Sequence, residues 1–240
     1  MLKKWDELPH YMKNDIVRKY YDVLYKKRLS LFVKRIIDLV GAILTIIILS
    51  PLFVILSIVI KMDSKGPILF RQVRVTQYGK RFRIYKFRTM VNNADKIGMQ
   101  VTTQNDVRVT RVGKILRKLR LDEIPQLFNI ISGDMSFVGT RPEVVKYVEE
   151  YSEDMMATLL LPAGVTSEAS IKYKDEERLL AITNKADEIY INVVLPEKME
   201  YNLRSLKEFS LLSEIKTVFK TCWTVIKKDD DRVDDVRIVS

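Results

Sequence analysis

Residues 36 to 60 decide the fold of this 240-residue chain: I-I-D-L-V-G-A-I-L-T-I-I-I-L-S-P-L-F-V-I-L-S-I-V-I. Asp38 is the only charged residue among them. As one straight α-helix, the run would be about 37 Å long, enough to cross the hydrocarbon core of a bilayer. It begins too far from the N-terminus, and is too long, to be a secretory signal peptide. The sequence therefore predicts a membrane segment.

The flanks of this segment favour a hairpin over a simple span. Lysines and arginines are dense on both sides of it, and the positive-inside rule places such flanks on the cytoplasmic face. Ser50 and Pro51 lie near its middle, where proline removes a backbone donor and the serine hydroxyl can bond to the freed carbonyl. We expect a re-entrant helix-break-helix. An ordinary kinked span is the alternative, because membrane helices tolerate proline.

Composition excludes several kinds of chemistry. The net charge of +10 calls for an anionic partner, which could be nucleic acid, a membrane surface or a phosphorylated substrate. A serine triad, a Cys-His pair or a His/Cys zinc site would have to use His10 or Cys222, the only residues of their types. The dinucleotide fingerprint and the P-loop are absent. Asp, Glu, Lys and Arg remain, with a divalent metal held by oxygen ligands.

Two β-strands follow the membrane segment. G-P-I-L-F-R-Q-V-R-V (66–75) and R-F-R-I-Y-K-F-R-T-M (81–90) alternate apolar and polar residues around a turn at 78–80, which predicts a hairpin. Phe82, Ile84, Lys86 and Arg88 then share one face. Two cations beside two apolar residues suit an anion site, and a solvated basic edge fits the pattern equally well.

Apolar periodicity predicts several helices. We expect one from about Arg111, one over Pro142–Met156 and one over residues 197–226, with a loop over residues 161–167. The basic, amphipathic residues 1–30 suit either an interfacial helix or a helix packed on the soluble domain.

The stretch R-K-L-R-L-D-E-I-P-Q-L-F-N-I-I-S-G-D-M-S-F-V-G-T-R-P (117–142) concentrates the usable chemistry. Asp122 and Glu123 stand at a predicted helix start, between Arg117 and Arg141. Carboxylates at a helix start can simply cap it. A carboxylate beside fixed guanidiniums can also act as nucleophile or base on a bound phosphate. The motif alone leaves both readings open.

These motifs together resemble the bacterial sugar transferase family, the monotopic phosphoglycosyl transferases. The resemblance runs from Leu31 to Ile226 and includes Y-K-F-R-T-M (85–90) and D-V-R-V-T-R-V-G (106–113). It implies an α/β fold, mostly helical with a small antiparallel hairpin, anchored by a re-entrant helix and interfacial helices. It also implies transfer of a sugar phosphate from a UDP-sugar to undecaprenyl phosphate, with release of UMP, which begins a lipid-linked glycan such as exopolysaccharide, capsule, O-antigen or a glycoprotein glycan.

The resemblance also implies roles for individual residues. Asp122 would attack phosphorus and form a phosphosugar-aspartyl intermediate, while Glu123 would act as base or, with Asp122, hold Mg²⁺. Substrate binding would fall to four cations, which are Arg117, Arg141, Lys86 and Arg88. Thr140 departs from the family, which usually has proline there, and this substitution is expected to loosen the turn that carries Arg141.

The resemblance implies the following organisation. Residues 1–30 form an amphipathic extension, 31–62 the re-entrant helix broken at Ser50-Pro51, 63–226 the catalytic domain and 227–240 a charged flexible tail. The expected location is the cytoplasmic face of the bacterial inner membrane, in contact with its lipids and without nucleic acid. A homodimer is left open. The rival interpretation is a non-catalytic, membrane-anchored basic protein that binds anionic lipid or nucleic acid.

Overall fold

The N-terminal segment packs on the soluble part of the protein. The computed structural model describes residues 2–92, 94, 106–173 and 186–226. Two short 3-10 helices, Trp5–Glu7 and His10–Met12, lead to α1 (Asp15–Lys26), which Asn14 caps by accepting a hydrogen bond from the Val17 amide at 2.8 Å. The inner face of α1 is buried and consists of Val17, Tyr20, Tyr21 and Leu24. Of the two placements that the sequence allowed, α1 takes the packed one.

The apolar run lies in α2 (Arg28–Asp63), which continues through Ser50 and Pro51. Pro51 cannot donate to the carbonyl of Ile47, four residues earlier. The Ser50 hydroxyl donates to that carbonyl instead, at 2.8 Å. The predicted interruption therefore does not end the helix, because the serine replaces the bond that proline removes. Among the described residues, α2 is the one helix long and apolar enough to cross a membrane.

Both ends of α2 are held by the same soluble domain. Near its start, Arg35 donates to the carbonyls of Ile130 and Ile131 at 2.7 and 3.1 Å. Near its end, the carbonyl of Ile60 accepts a hydrogen bond from Arg88 at 3.1 Å. The residues between these anchors expose large apolar side chains, namely Ile43, Leu44, Ile47, Ile48, Val54 and Ile55. One face of α2 between the anchors is thus exposed, while Ile46 and Phe53 pack against the domain.

The predicted hairpin is confirmed. Strands β1 (Leu69–Val75) and β2 (Arg81–Phe87) pair antiparallel. They are joined by a turn in which Tyr78 and Gly79 have positive φ, 58° and 73°. Phe82 and Ile84 on β2 are buried against α2 and the helix that follows the dyad. This packing places the end of β2 beside the carboxylates.

Helices and two short strands follow β2 along the chain. In chain order they are α3 (Arg111–Lys118), a 3-10 helix (Leu121–Glu123), α4 (Gln126–Ser132), β3 (Met135–Val138), α5 (Val145–Val148), a 3-10 helix (Met155–Leu160), β4 (Ala163–Thr166) and α6 (Glu168–Lys172). α3 begins where predicted. The predicted helix over 142–156 is wrong in extent, since only α5 and the start of the 3-10 helix form there.

The predicted loop over residues 161–167 is also wrong, because it contains β4, which pairs parallel with β3. Gly164 permits this pairing. A Cβ there would lie 2.2 Å from the backbone nitrogen of Gly139. The α/β class, mostly helical with small sheets, is confirmed, but the sequence did not predict this second, parallel sheet.

The helix predicted over 197–226 is two helices. A short helix α7 (Ala186–Ile189) and a π-helical turn (Tyr190–Val194) lead to α8 (Leu195–Lys207), and α9 (Leu211–Ile226) follows. Ser210 separates α8 from α9, because its hydroxyl accepts from the Ser213 amide at 3.1 Å and so starts a new helix. The apolar stripe divides with them. On α8 its residues are buried, whereas on α9 Leu212, Ile215, Phe219 and Trp223 are exposed. The predicted tail, 227–240, lies outside the described residues.

Candidate active site

The dyad stands where the chain reverses between α3 and α4. Arg120 adopts a left-handed conformation, with φ of 55°, and ends the approach from α3. Asp122 and Glu123 follow in the 3-10 turn Leu121–Glu123. Asp122 is 8% exposed, so the turn buries a carboxylate that would otherwise be solvated.

The dyad does not cap the helix. Pro125 occupies the N-cap position of α4, and no side chain caps that helix. Glu123 instead accepts a hydrogen bond from Lys86 at 3.0 Å and pairs with the guanidinium of Arg141. The capping interpretation is therefore wrong, and both carboxylates face groups from other elements.

The two carboxylates have opposite pKa shifts. Burial alone would raise the pKa of Glu123, but the charges of Arg141 and Lys86 outweigh it and hold that pKa well below its usual value. Burial raises the pKa of Asp122, Lys86 opposes this shift, and the charge of Glu123 adds to it. Carboxyl groups whose pKa values are driven apart take different roles in acid-base and nucleophilic chemistry.

Asp122 is the less constrained member of the dyad. Its carboxylate has no hydrogen bond or ion pair within the part of the chain that the structure describes, although Lys86, Arg117 and Arg141 influence its pKa. Arg117 is oriented by a 2.9 Å hydrogen bond from its Nε to the hydroxyl of Thr89. Asp122 is thus a buried carboxylate surrounded by positive charge, with its oxygens unengaged by protein donors.

Arg88 lies apart from this group. It follows the end of β2 and donates from Nη2 to the carbonyls of Ile60 and Ser64 at 3.1 and 2.6 Å. These contacts hold the end of α2. Of the predicted site residues, the structure brings together Asp122, Glu123, Lys86, Arg117 and Arg141, and places Arg88 at the end of α2.

The turn that carries Arg141 is fixed by backbone bonds. The carbonyl of Thr140 accepts from the Gly164 amide at 2.9 Å, and the Gly139 amide donates to the Thr166 carbonyl at 3.0 Å. The expected loosening at Thr140 is therefore offset, because these bonds extend the β3–β4 pairing into the turn.

A buried network behind Arg141 was missed by sequence reasoning. Glu143 is 5% exposed, and its carboxylate accepts from the Tyr190 hydroxyl at 2.7 Å and from Lys198 at 3.3 Å. Arg74 on β1 donates to the carbonyl of Pro142 at 3.2 Å. The only signal in the sequence was the position of Glu143 two residues after Arg141, since Lys198 lies far along the chain.

The carboxylates present fit a magnesium ion that the substrate helps to hold. The described residues contain no group of three or more His, Cys, Asp or Glu side chains that could hold a metal by themselves. Mg²⁺ usually takes only one or two protein carboxylates and completes its shell with water and substrate phosphates. Because Glu123 is engaged by Lys86 and Arg141, Asp122 is the carboxylate with oxygens to offer.

Comparison with known proteins agrees with the resemblance found in the sequence. A sequence profile of the bacterial sugar transferase family matches residues 29–228. The chain is 37% identical over 198 residues to the UDP-N-acetylgalactosamine-undecaprenyl-phosphate N-acetylgalactosaminephosphotransferase of Aeromonas hydrophila. The aligned region covers 81% of this chain and 44% of that protein.

Two further relatives act on other sugars. The UDP-glucose:undecaprenyl-phosphate glucose-1-phosphate transferase of Klebsiella pneumoniae is 35% identical over 199 residues, covering 80% of this chain and 40% of its own length. The undecaprenyl-phosphate galactose phosphotransferase of Salmonella typhimurium is 33% identical over 218 residues, with 85% and 42% covered. The chain thus spans less than half the length of these three relatives.

Proposed function

The chain belongs to the bacterial sugar transferase family, and from that premise we propose that it transfers a sugar phosphate from a UDP-sugar to undecaprenyl phosphate. UMP is released, and the product begins a lipid-linked glycan. One observation carries the proposal: Asp122 is a buried carboxylate with no donor among the described residues, placed among Lys86, Arg117 and Arg141. That arrangement suits attack on a phosphate.

The reaction proceeds as two displacements at one phosphorus. An Asp122 oxygen attacks the sugar-linked phosphorus of the donor, the bond from that phosphorus to the bridging oxygen breaks, and UMP leaves with the electron pair. An oxygen of undecaprenyl phosphate then attacks the same phosphorus, and the Asp122 carboxylate departs. The covalent step lets the soluble donor and the lipid acceptor bind in turn.

The cations make the first displacement feasible. A diphosphate repels a carboxylate until its charge is neutralised, and fixed donors in a buried site stabilise the charge that develops on phosphoryl oxygens. Arg141 and Lys86 are held by Glu123, so both are positioned before substrate arrives. Arg117 supplies a third positive charge near Asp122.

Glu123 has two roles in this proposal. It orients the two cations, and its lowered pKa keeps it ionised. It would also accept the proton of the lipid phosphate as a general base, although the lowered pKa makes it a weaker base for this role. Asp122, with Glu123 nearby, would hold Mg²⁺, and the bound ion would supply further neutralisation of the diphosphate.

The packing of α2 supports re-entrant anchoring. Arg35 and Ile60, near opposite ends of the apolar run, are both bonded to the soluble domain. A helix that crossed the bilayer would place its ends about 30 Å apart on opposite faces. Because one domain holds both ends and lysines and arginines are dense on both flanks, we place that domain on the cytoplasmic face of the bacterial inner membrane, with the exposed face of α2 in the lipid.

UMP release tests the proposal. We expect the purified full chain to release UMP over many turnovers from at least one of UDP-glucose, UDP-galactose and UDP-N-acetylgalactosamine when undecaprenyl phosphate and Mg²⁺ are present. Without the lipid, release should stop at about one UMP per protein molecule, because only the first displacement can occur. With a sugar-labelled donor and no acceptor, label should remain on the protein through precipitation. Salt-sensitive binding to anionic vesicles without any UMP release would support the rival, non-catalytic interpretation instead.

A further inference from the structure

The side-chain amide of Gln126 is buried without a hydrogen-bond partner among the described residues. Gln126 is the first residue of α4 and is 1% exposed. Both its Oε1 and its Nε2 are buried, and neither has a hydrogen-bond partner among the described residues. Buried amides in native proteins are almost always paired, so the Gln126 amide needs a partner that the described residues do not supply.

Asn129 shows what the same helix does with a structural amide. It lies three residues further along α4 and is also 1% exposed. Its Oδ1 accepts from the Tyr85 amide at 2.9 Å, and its Nδ2 donates to the Arg83 carbonyl at 2.9 Å. These bonds join α4 to β2. The fold thus satisfies one buried amide fully and leaves the other without a partner.

Gln126 is close to the dyad along the chain. It follows Asp122 by four residues and Glu123 by three, and the backbone is helical through Ile124 and Pro125. Side chains three and four residues apart share one side of a helix. The position of Gln126 along the chain therefore favours an amide on the side that carries the two carboxylates.

We propose that the Gln126 amide binds the sugar-phosphate part of the donor, a contact that rests on the proposed function and extends it. Nε2 would donate to an oxygen of the sugar phosphate, and Oε1 would accept from a sugar hydroxyl. An ionised phosphate offers acceptors only, whereas a sugar phosphate offers both acceptors and donors, which matches an amide with both atoms unpaired. In this proposal the cations bind the phosphates, and the neutral Gln126 amide contacts the sugar.

The test replaces Gln126 with methionine, which has a similar shape and no amide. Donor binding is measured in the Asp122→Asn background, with titrations of UDP-glucose, UDP-galactose, UDP-N-acetylgalactosamine and UMP. We expect Gln126→Met to weaken binding of the tightest UDP-sugar by about 30-fold or more, because it removes one hydrogen bond to an ionised phosphate and one to a neutral hydroxyl. UMP affinity should change less than about twofold. The melting temperature should not fall, because no internal bond is removed.

Asn129→Leu is the matched control. It should lower the melting temperature while UDP-sugar affinity of the folded protein stays within about twofold. Unchanged UDP-sugar affinity in Gln126→Met would overturn the inference, as would equal losses for UDP-sugar and UMP. A lower melting temperature in both Gln126→Met and Gln126→Leu would also overturn it, by showing an internal partner.

These outcomes are separate from those that decide the proposed function. Binding in the Asp122→Asn background does not depend on transfer. Failure of the unmodified chain to release UMP would count against the proposed function, whereas normal UMP release together with unchanged donor affinity in Gln126→Met would count against the Gln126 contact alone.

Discussion

Two buried clusters of this protein contain carboxylates and differ in how those carboxylates are bonded. The stem cluster consists of Lys34, Asp38, Ser136 and Glu214, at the base of α2. Asp38 accepts from the Ser136 hydroxyl at 2.7 Å and from the Phe137 amide at 3.3 Å. The dyad site consists of Asp122, Glu123, Lys86, Arg117 and Arg141, and there Asp122 has no such donor within the described residues.

The difference lies in whether the protein completes its own buried charges. Lys34 pairs with Glu214 and donates to the Val138 carbonyl at 3.0 Å, so the stem cluster satisfies its members internally. In the dyad site, cations outnumber carboxylates and one carboxylate is unengaged. A satisfied buried cluster stabilises a fold, while an incomplete one with excess positive charge is suited to an anionic ligand.

Removing the Asp122 charge should produce the largest effect on rate. Asp122→Asn should lower UMP release by at least about 10³-fold, because the amide cannot attack phosphorus. Its melting temperature should equal or exceed that of the unmodified protein. The raised pKa means that folding disfavours the ionised carboxylate, so the neutral amide removes a destabilising charge. UMP release within threefold of the unmodified rate would refute the nucleophile assignment.

Lowering the pH should produce the second-largest effect on the rate. The nucleophile must be ionised, and burial, joined by the charge of Glu123, raises the pKa of Asp122 above its usual 3.8. As pH falls through that raised pKa, kcat/KM should drop by about tenfold per pH unit. Glu123→Gln removes the neighbouring negative charge, so its pH profile should show the acid limb at lower pH.

The unmodified protein and the Glu123→Gln variant are compared by the pH at which kcat/KM begins to fall on the acid side. The Glu123→Gln variant should also be slower at every pH, because Lys86 and Arg141 lose their partner. An acid limb that stays in place or moves to higher pH would contradict the proposed electrostatic link between the two carboxylates.

Changing the stem cluster should have the smallest effect on rate. Asp38→Asn disturbs the bonds from Ser136 and Phe137, and we expect the free energy of unfolding to fall by about 1–3 kcal/mol. UMP release per folded molecule should stay within about threefold of the unmodified protein. A large loss of rate with unchanged stability would show that the two clusters do not differ as the structure indicates.

Local signals predicted a substantial part of the fold. Alternation and the turn residues gave the β1–β2 hairpin, and the dyad, Pro125 and Gly133 bracketed α4, whose end at Gly133 has φ of 87°. The motif also named Asp122 and Glu123 as candidates. Each of these signals acts over a few residues of chain, which is why it can be read from sequence.

Other features escaped because distant residues create them. β4 is only four residues long and forms through pairing with β3. The break between α8 and α9 depends on Ser210, whose capping role was hidden inside a continuous apolar stripe. The Glu143 network joins residues that no spacing rule connects. Gln126 could not be singled out from the sequence, because the absence of a hydrogen-bond partner among the described residues is visible only in the structure.

The sequence by itself determined that this chain has a long apolar segment, a net positive charge, a hairpin and a carboxylate pair between arginines. Periodicity, turn chemistry and charge are properties of neighbouring residues, so the chain alone carries them. Only the tertiary structure decided which buried carboxylate is bonded and which is available. Desolvation and ion pairing depend on groups brought together from remote positions, such as Lys86 and Arg141 around Glu123.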